Sequence, residues 1–222
     1  MLNLSECALS LQNYALRVGR FMVSLELCSI MISVILGTII MESTLHFFTF
    51  PDHSAFNEKL MQDIEFRGDE MFQKTNLKCI MTSHTMHHLS DNFALLANFA
   101  IEQGEKLLGE KLYIETLWGA VYHYGDFALC HNHASGGCKI AFCYFVDMPN
   151  GCSPLIFPNA QKPWLPPRFA ITPEAGTLVM WPSDFDHYVP PHPIHQKRVV
   201  IAGNLTIEEQ ERIIYDSKRK TM

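Results

Sequence analysis

Three periodicities follow one another along the chain. Phe21 to Met41 is almost wholly apolar, broken by Glu26 and preceded by Arg17 and Arg20. Leu45, Phe47 and Phe50 ahead of Pro51 predict a short strand running into a turn, and His53 to Ile64 has the spacing of a short helix. Asn92 to Leu108 places Phe93, Leu96, Phe99, Ala100 and Leu107 on or near one face, with Ser90 and Asp91 as capping residues and Gly109 as a stop, which predicts a helix packed on a sheet. After Lys111 the pattern becomes that of strands: Tyr113 to Tyr124, Ala128 to His133, Lys139 to Val146, Leu155 to Phe157, Thr177 to Trp181, Tyr188 to Val189 and Arg198 to Leu205. Glycines and prolines separate these runs, as in a β-sandwich or barrel. Glu208 to Ser217 reads as a short C-terminal helix. The fold class is mainly β with flanking helices (α+β).

The uncharged run Leu27 to Met41 spans fifteen residues, short of the roughly 20 needed to cross a bilayer. Three readings stand for residues 1–40: a signal anchor oriented by the two arginines, a hydrophobic helix packed on the domain, or an extension ahead of a start at Met41. Residues 41–222 are then the folded domain, and membrane attachment is confined to residues 21–41.

Composition narrows the function classes. The 222 residues are 48% apolar and 18% charged, enough for one domain with a buried core and unlike disorder or coiled coil. A formal charge of -6 leaves no basic excess to neutralise phosphates, which argues against nucleic acid as a partner. Seven cysteines with no CxxC pair read as free thiols in a reducing, cytoplasmic compartment. A zinc site from Cys130, Cys138, Cys143 and Cys152 has the wrong spacing. The eleven histidines are the unusual feature, and six lie between His123 and His195. His84, His87 and His88 sit in SHTMHHLSDN, read as the solvated start of a helix.

The sharpest motif is His131, Asn132, His133 in GDFALCHNHASGG, since residues two apart on a strand point to the same side. His187 follows a hydrophobic strand and a proline turn in GTLVMWPSDFDHYVPP. Eleven residues on, Arg198 opens the apolar strand RVVIAGNL, where a guanidinium requires an anion. Three ligands on one face of a ferrous ion leave positions open for a chelating cosubstrate and dioxygen. An arginine holds a carboxylate bidentately at the far end of such a cosubstrate. The aromatics Trp118, Tyr122, Tyr124, Phe142, Tyr144 and Trp181 read chiefly as barrel core, with Tyr122 or Tyr144 available to a keto-acid carboxylate.

Two blocks, GDFALCHNHASGGCKIAFCYFVDMPNGCSPLIF and GTLVMWPSDFDHYVPPHPIHQKRVVIAGNL, resemble the iron(II)- and 2-oxoglutarate-dependent oxygenases, specifically small members found in phages and bacteria. The resemblance implies a double-stranded β-helix (jelly-roll) core with the metal at its mouth. It implies that His131, His133 and His187 ligate iron(II) and that Arg198 anchors 2-oxoglutarate. The implied reaction is hydroxylation of a C–H bond with dioxygen, giving succinate and carbon dioxide. Most of that superfamily has Asp or Glu where this chain has His133, and Asp126 and Asp186 are the alternative carboxylates. Lys139 and Ile140 stand where the small subfamily commonly has a Ser-Gly pair.

The motifs leave two other classes open: a three-histidine cupin-type metal enzyme that does not use 2-oxoglutarate, and a non-catalytic jelly-roll binding module. The substrate, small-molecule or peptidyl, is expected to be set by loops at the barrel mouth, Asp147 to Pro154 and Asn159 to Pro173.

Overall fold

Strands Cys138 to Asp147 and Arg198 to Thr206 are apolar at nearly every position, the mark of strands covered on both faces. Alternate residues go to two different cores. Phe142, Tyr144, Val146, Val199, Ile201 and Leu205 pack with helical residues. Cys143, Phe145 and Val200 pack with Trp118, Tyr122, Leu155, Phe157 and Val189. The central sheet is therefore sandwiched between helices and a second sheet.

The computed structural model describes residues 44–68, 76–134 and 137–207. Strands β1 (His46–Thr49), β2 (Leu77–Lys78), β3 (Ile80–Met81), β4 (Tyr113–Tyr122), β5 (Phe127–His131), β6 (Cys138–Asp147), β7 (Leu155–Phe157), β8 (Phe169–Ile171), β9 (Thr177–Pro182), β10 (His187–Val189) and β11 (Arg198–Thr206) form two sheets. Their orders are β1-β9-β6-β11-β4-β3 and β2-β5-β10-β7-β8, and the pairings are antiparallel. Two facing antiparallel sheets with these crossovers are the jelly-roll core that the motifs implied.

Helices α1 (His53–Arg67) and α2 (Asp91–Leu108) cover the outer face of the larger sheet. Ser90 caps α2 by accepting from the Phe93 N–H at 3.2 Å. Gly109 ends it at φ 70°, a conformation glycine takes without a Cβ penalty. The α2 face holding Phe93, Leu96, Ala97 and Ala100 is buried, as its periodicity predicts.

Three short strands, β2, β3 and β8, and a 3₁₀ turn at Met86–His88 were not legible in the pattern; β8 falls inside the stretch read as the loop Asn159 to Pro173. Among the described residues no helix is long and apolar enough to cross a membrane, and the five described cysteines are free. The readings of residues 1–40 and of the helix at Glu208 to Ser217 lie outside the described residues.

Candidate metal centre and anion pocket

His131 closes β5, His187 opens β10, and the two are register partners across that pair. His131 and His133 do not share a strand face as their spacing predicts, because β5 ends at His131. His133 lies beyond it, held by its backbone N–H donating to the Ser183 carbonyl at 2.7 Å. Ser183 lies between β9 and β10, so this bond ties His133 to the segment that delivers His187. The rings converge: centroid separations are 5.1 Å for His131 and His133, 4.4 Å for His131 and His187, and 5.2 Å for His133 and His187. One nitrogen from each lies within 4.8 Å of the others, close enough to hold one metal ion.

Backbone carbonyls orient two of the rings. His131 Nδ1 meets the Leu129 carbonyl at 2.7 Å, and His187 Nδ1 meets that of Phe185 at 2.9 Å. Donation there puts the proton on Nδ1 and leaves Nε2 as the ligand atom. Burial lowers the His187 pKa to about 3, with the nearby His131 adding to the effect. Burial, then the neighbouring His131, takes His133 to about 4. His131 is also lowered by burial, while the Leu129 carbonyl and the Asp186 carboxylate pull the other way. All three imidazoles are thus neutral near pH 7, the form that binds metal.

Neither alternative carboxylate belongs to this group. Asp126 accepts from the His123 N–H at 2.9 Å and closes the turn between β4 and β5. Asp186 accepts from Asn132 Nδ2 at 2.9 Å. The cysteines also stay apart: Cys130 is exposed, Cys138, Cys143 and Cys152 are buried, and among the described residues the metal-binding group contains no cysteine.

Behind the histidines a cavity runs between the sheets, and Trp118, Tyr122, Cys143, Trp181, Val200 and Arg198 are among the residues lining it. Arg198 is 1% exposed. Its Nε and Nη1 have no hydrogen-bond partner, and no carboxylate pairs with it among the described residues. The Tyr122 ring lies 4.9 Å from its guanidinium carbon and the Phe145 ring 5.7 Å. Burial raises the Tyr122 pKa, opposed in part by a hydrogen bond from Arg198. Tyr122 is the register partner of Arg198, so the two sit side by side on the cavity face.

Tyr144, the other predicted anion contact, does not reach this cavity. It sits one residue out of phase with Cys143 and Phe145, on the helix side of the sheet, and donates to Asn57 Oδ1 at 2.6 Å. Tyr124 is not core: it is exposed and stacks on His195. His84, taken as solvated, is partly buried against Trp118, with ring centroids 4.7 Å apart. Of the two predicted mouth loops, Asn159 to Pro173 adjoins the histidines: Asn159, Gln161 and Arg168 share a cleft with Asp184 and Asp186. The Asp147 to Pro154 loop starts beside the Arg198 end of β11, with Asp147 opposite Val199, and its Ser153 N–H donates to the buried His192 at 3.3 Å.

No family model matches the chain, and no curated protein matches it in sequence. Solved structures do match in fold. A Pseudomonas putida prolyl-4-hydroxylase aligns with a TM-score of 0.60 at 14% identity, over 80% of this chain and 100% of that one. The non-heme α-ketoglutarate-dependent epimerase SnoN from nogalamycin biosynthesis aligns at 0.63 and 12%, over 79% and 83%. HygX from Streptomyces hygroscopicus, solved with nickel, 2-oxoglutarate and hygromycin B, aligns at 0.59 and 9%, over 76% and 84%. The chain shares the fold of these three proteins.

Proposed function

We propose that the protein is an iron(II)- and 2-oxoglutarate-dependent oxygenase that hydroxylates a small-molecule or peptidyl substrate. The observation that carries this reading is the pairing of two unsatisfied features in one cavity. Three neutral imidazoles converge at its mouth, and a buried guanidinium with two unpartnered nitrogens stands behind them. The donor set fits the groups required: imidazole nitrogens suit iron(II), and Arg198 suits a carboxylate.

His131, His133 and His187 would hold iron(II). With 2-oxoglutarate and dioxygen bound, the metal centre supplies an oxidation that puts one oxygen atom into the substrate and the other into succinate, releasing carbon dioxide. The chain's own residues do the rest. Arg198 and Tyr122 bind the far carboxylate. Phe157 and Trp181, with ring centroids 6.0 and 5.0 Å from that of His187, keep water from one flank of the metal centre. The cleft at Asn159, Arg168 and Asp184 gives the substrate its approach.

The test is carbon dioxide release from 2-oxoglutarate by the iron(II)-loaded protein in air. We expect His187→Ala to abolish release and Arg198→Ala chiefly to raise the 2-oxoglutarate concentration required. Release that ignores both substitutions contradicts the reading. Metal binding without any response to 2-oxoglutarate would favour the three-histidine cupin-type enzyme.

A further inference from the structure

Arg198 faces the cavity only because β11 begins in one phase, and the apolar pattern of that strand does not choose the phase. Val199 and Ile201 are buried on the helix side and Val200 on the other, so a slip of one residue exchanges two apolar faces and carries Arg198 to the helix side. Pairing with β4 sets Arg198 opposite Tyr122. Pairing with β6 is irregular at this point, stepping from Val199 opposite Asp147 to Val200 opposite Phe145.

A buried histidine holds the start of the strand. His192, between β10 and β11, is 1% exposed, and Ser153 is fully buried beside it. His192 Nδ1 accepts from the Ser153 N–H at 3.3 Å and lies 3.2 Å from Ser153 Oγ. With Nδ1 as acceptor, Nε2 carries the proton and donates to the Gln196 carbonyl at 2.7 Å. The His192 N–H donates to the Asp126 carbonyl at 2.8 Å, and its carbonyl accepts from the Gly125 N–H at 2.9 Å. One residue thus ties the β4–β5 turn and the Asp147 to Pro154 loop to Gln196, which stands two positions ahead of Arg198. Lys197, between them, pairs with Glu65 of α1, so it takes the helix side and leaves the cavity side to Arg198. The tied loop also comes within reach of the guanidinium: burial raises the Cys152 thiol pKa, and the charge of Arg198 opposes that rise.

We propose that His192 is a positioning residue for Arg198: by holding the Gln196 carbonyl it fixes the phase in which β11 begins, and with it the place of the guanidinium in the cavity. His192 touches neither the three histidines nor the anion. Its loss should therefore loosen the anion site and spare the metal site. The inference rests on the oxygenase reading for the identity of the anion, 2-oxoglutarate; the placement of Arg198 does not depend on it. Two amide side chains separate the two ends of the ring. Asparagine keeps an acceptor near the place of Nδ1 and falls short of Gln196, whereas glutamine carries an N–H donor to the place of Nε2.

The test measures iron(II) and 2-oxoglutarate affinity separately, by calorimetry without dioxygen, in the full chain. It also follows the Arg198 Nε–H resonance, recognised by its absence in Arg198→Met. We expect His192→Asn to weaken 2-oxoglutarate by about fivefold to tenfold while iron(II) affinity changes by less than about twofold. His192→Gln should restore most of the loss. The Arg198 resonance should move in His192→Asn and return toward its place in His192→Gln. Ser153→Ala removes one hydroxyl and keeps the N–H, so it probes the same link where His192→Asn unfolds the chain; it should weaken 2-oxoglutarate by about twofold to threefold. Equal losses of iron(II) and 2-oxoglutarate, a loss in His192→Gln as large as in His192→Asn, or an Arg198 resonance that stays in place overturns the positioning role. If the unsubstituted protein ignores 2-oxoglutarate, the oxygenase reading falls, and the Arg198 resonance alone decides the role of His192.

Discussion

Asn132 donates its side-chain amide to the Asp186 carboxylate at 2.9 Å. Asn132 lies between His131 and His133, and Asp186 adjoins His187, so this bond adds a side-chain tie between the two segments that carry the three converging histidines. It also sets a carboxylate beside an otherwise neutral ligand set. Asp186→Ala and Asn132→Ala should each weaken cobalt(II) or iron(II) binding by about tenfold to a hundredfold with little change in circular dichroism. Unchanged metal affinity in both variants would show that the bond plays no part in orienting the ligands.

Arg198 should be a stability liability until its anion binds. Aromatic rings at 4.9 and 5.7 Å offset part of the burial of its charge, but two nitrogens stay unsatisfied. Arg198→Met should leave the ligand-free protein as stable or more stable in thermal melts. 2-Oxoglutarate should raise the melting temperature of the unsubstituted protein and not of Arg198→Met. A ligand-induced shift of the same size in the variant would remove Arg198 as the anchor.

The two tyrosines should separate cleanly. Tyr144→Phe removes the bond to Asn57 on the helix side of the sheet and should cost about 1–3 kcal/mol of stability without altering the 2-oxoglutarate requirement. Tyr122→Phe should raise that requirement. Equal effects of both on 2-oxoglutarate would contradict the assignment of the two faces.

The lowered histidine pKa values fix the sign of the acid response. An imidazole at about 3 in the folded chain, as for His187, stays unprotonated while the unfolded chain takes up a proton near its ordinary value of 6.5. Below that value the unfolded state binds more protons, so stability falls as pH falls. The loss continues toward pH 4 and below, with His133 and His87, each at about 4, acting in the same direction. Acid titration of the metal-free protein by circular dichroism should show a midpoint at lower pH for His187→Gln, relative to the unsubstituted chain. A midpoint displaced upward would contradict burial of a neutral His187.

The longer strands and the three converging histidines were legible because each leaves a local trace. β7 matches its predicted bounds, and β4, β6 and β11 lie within about two residues of theirs, since apolar runs between glycine and proline turns define them. His131, His133, His187 and Arg198 stood out because ligand chemistry restricts residue type. Tyr144 was misplaced because a strand buried on both faces carries no polar alternation to reveal which side a residue takes. The registers decided it, by setting Tyr144 with Phe142 and Val146. The partnering of Asp186 by Asn132, 54 residues away, and the position of the Asp147 to Pro154 loop at the Arg198 end of β11 depend on long-range pairing that no local pattern encodes.

The most direct measurement of the central claim is the visible spectrum of the protein purified without oxygen, with iron(II) and then 2-oxoglutarate added. We predict a weak metal-to-ligand charge-transfer band that appears only with both present, is lost in His187→Ala, and needs more 2-oxoglutarate in Arg198→Ala. Iron bound tightly with no such band at any 2-oxoglutarate concentration would contradict the claim that His131, His133, His187 and Arg198 form one cosubstrate site.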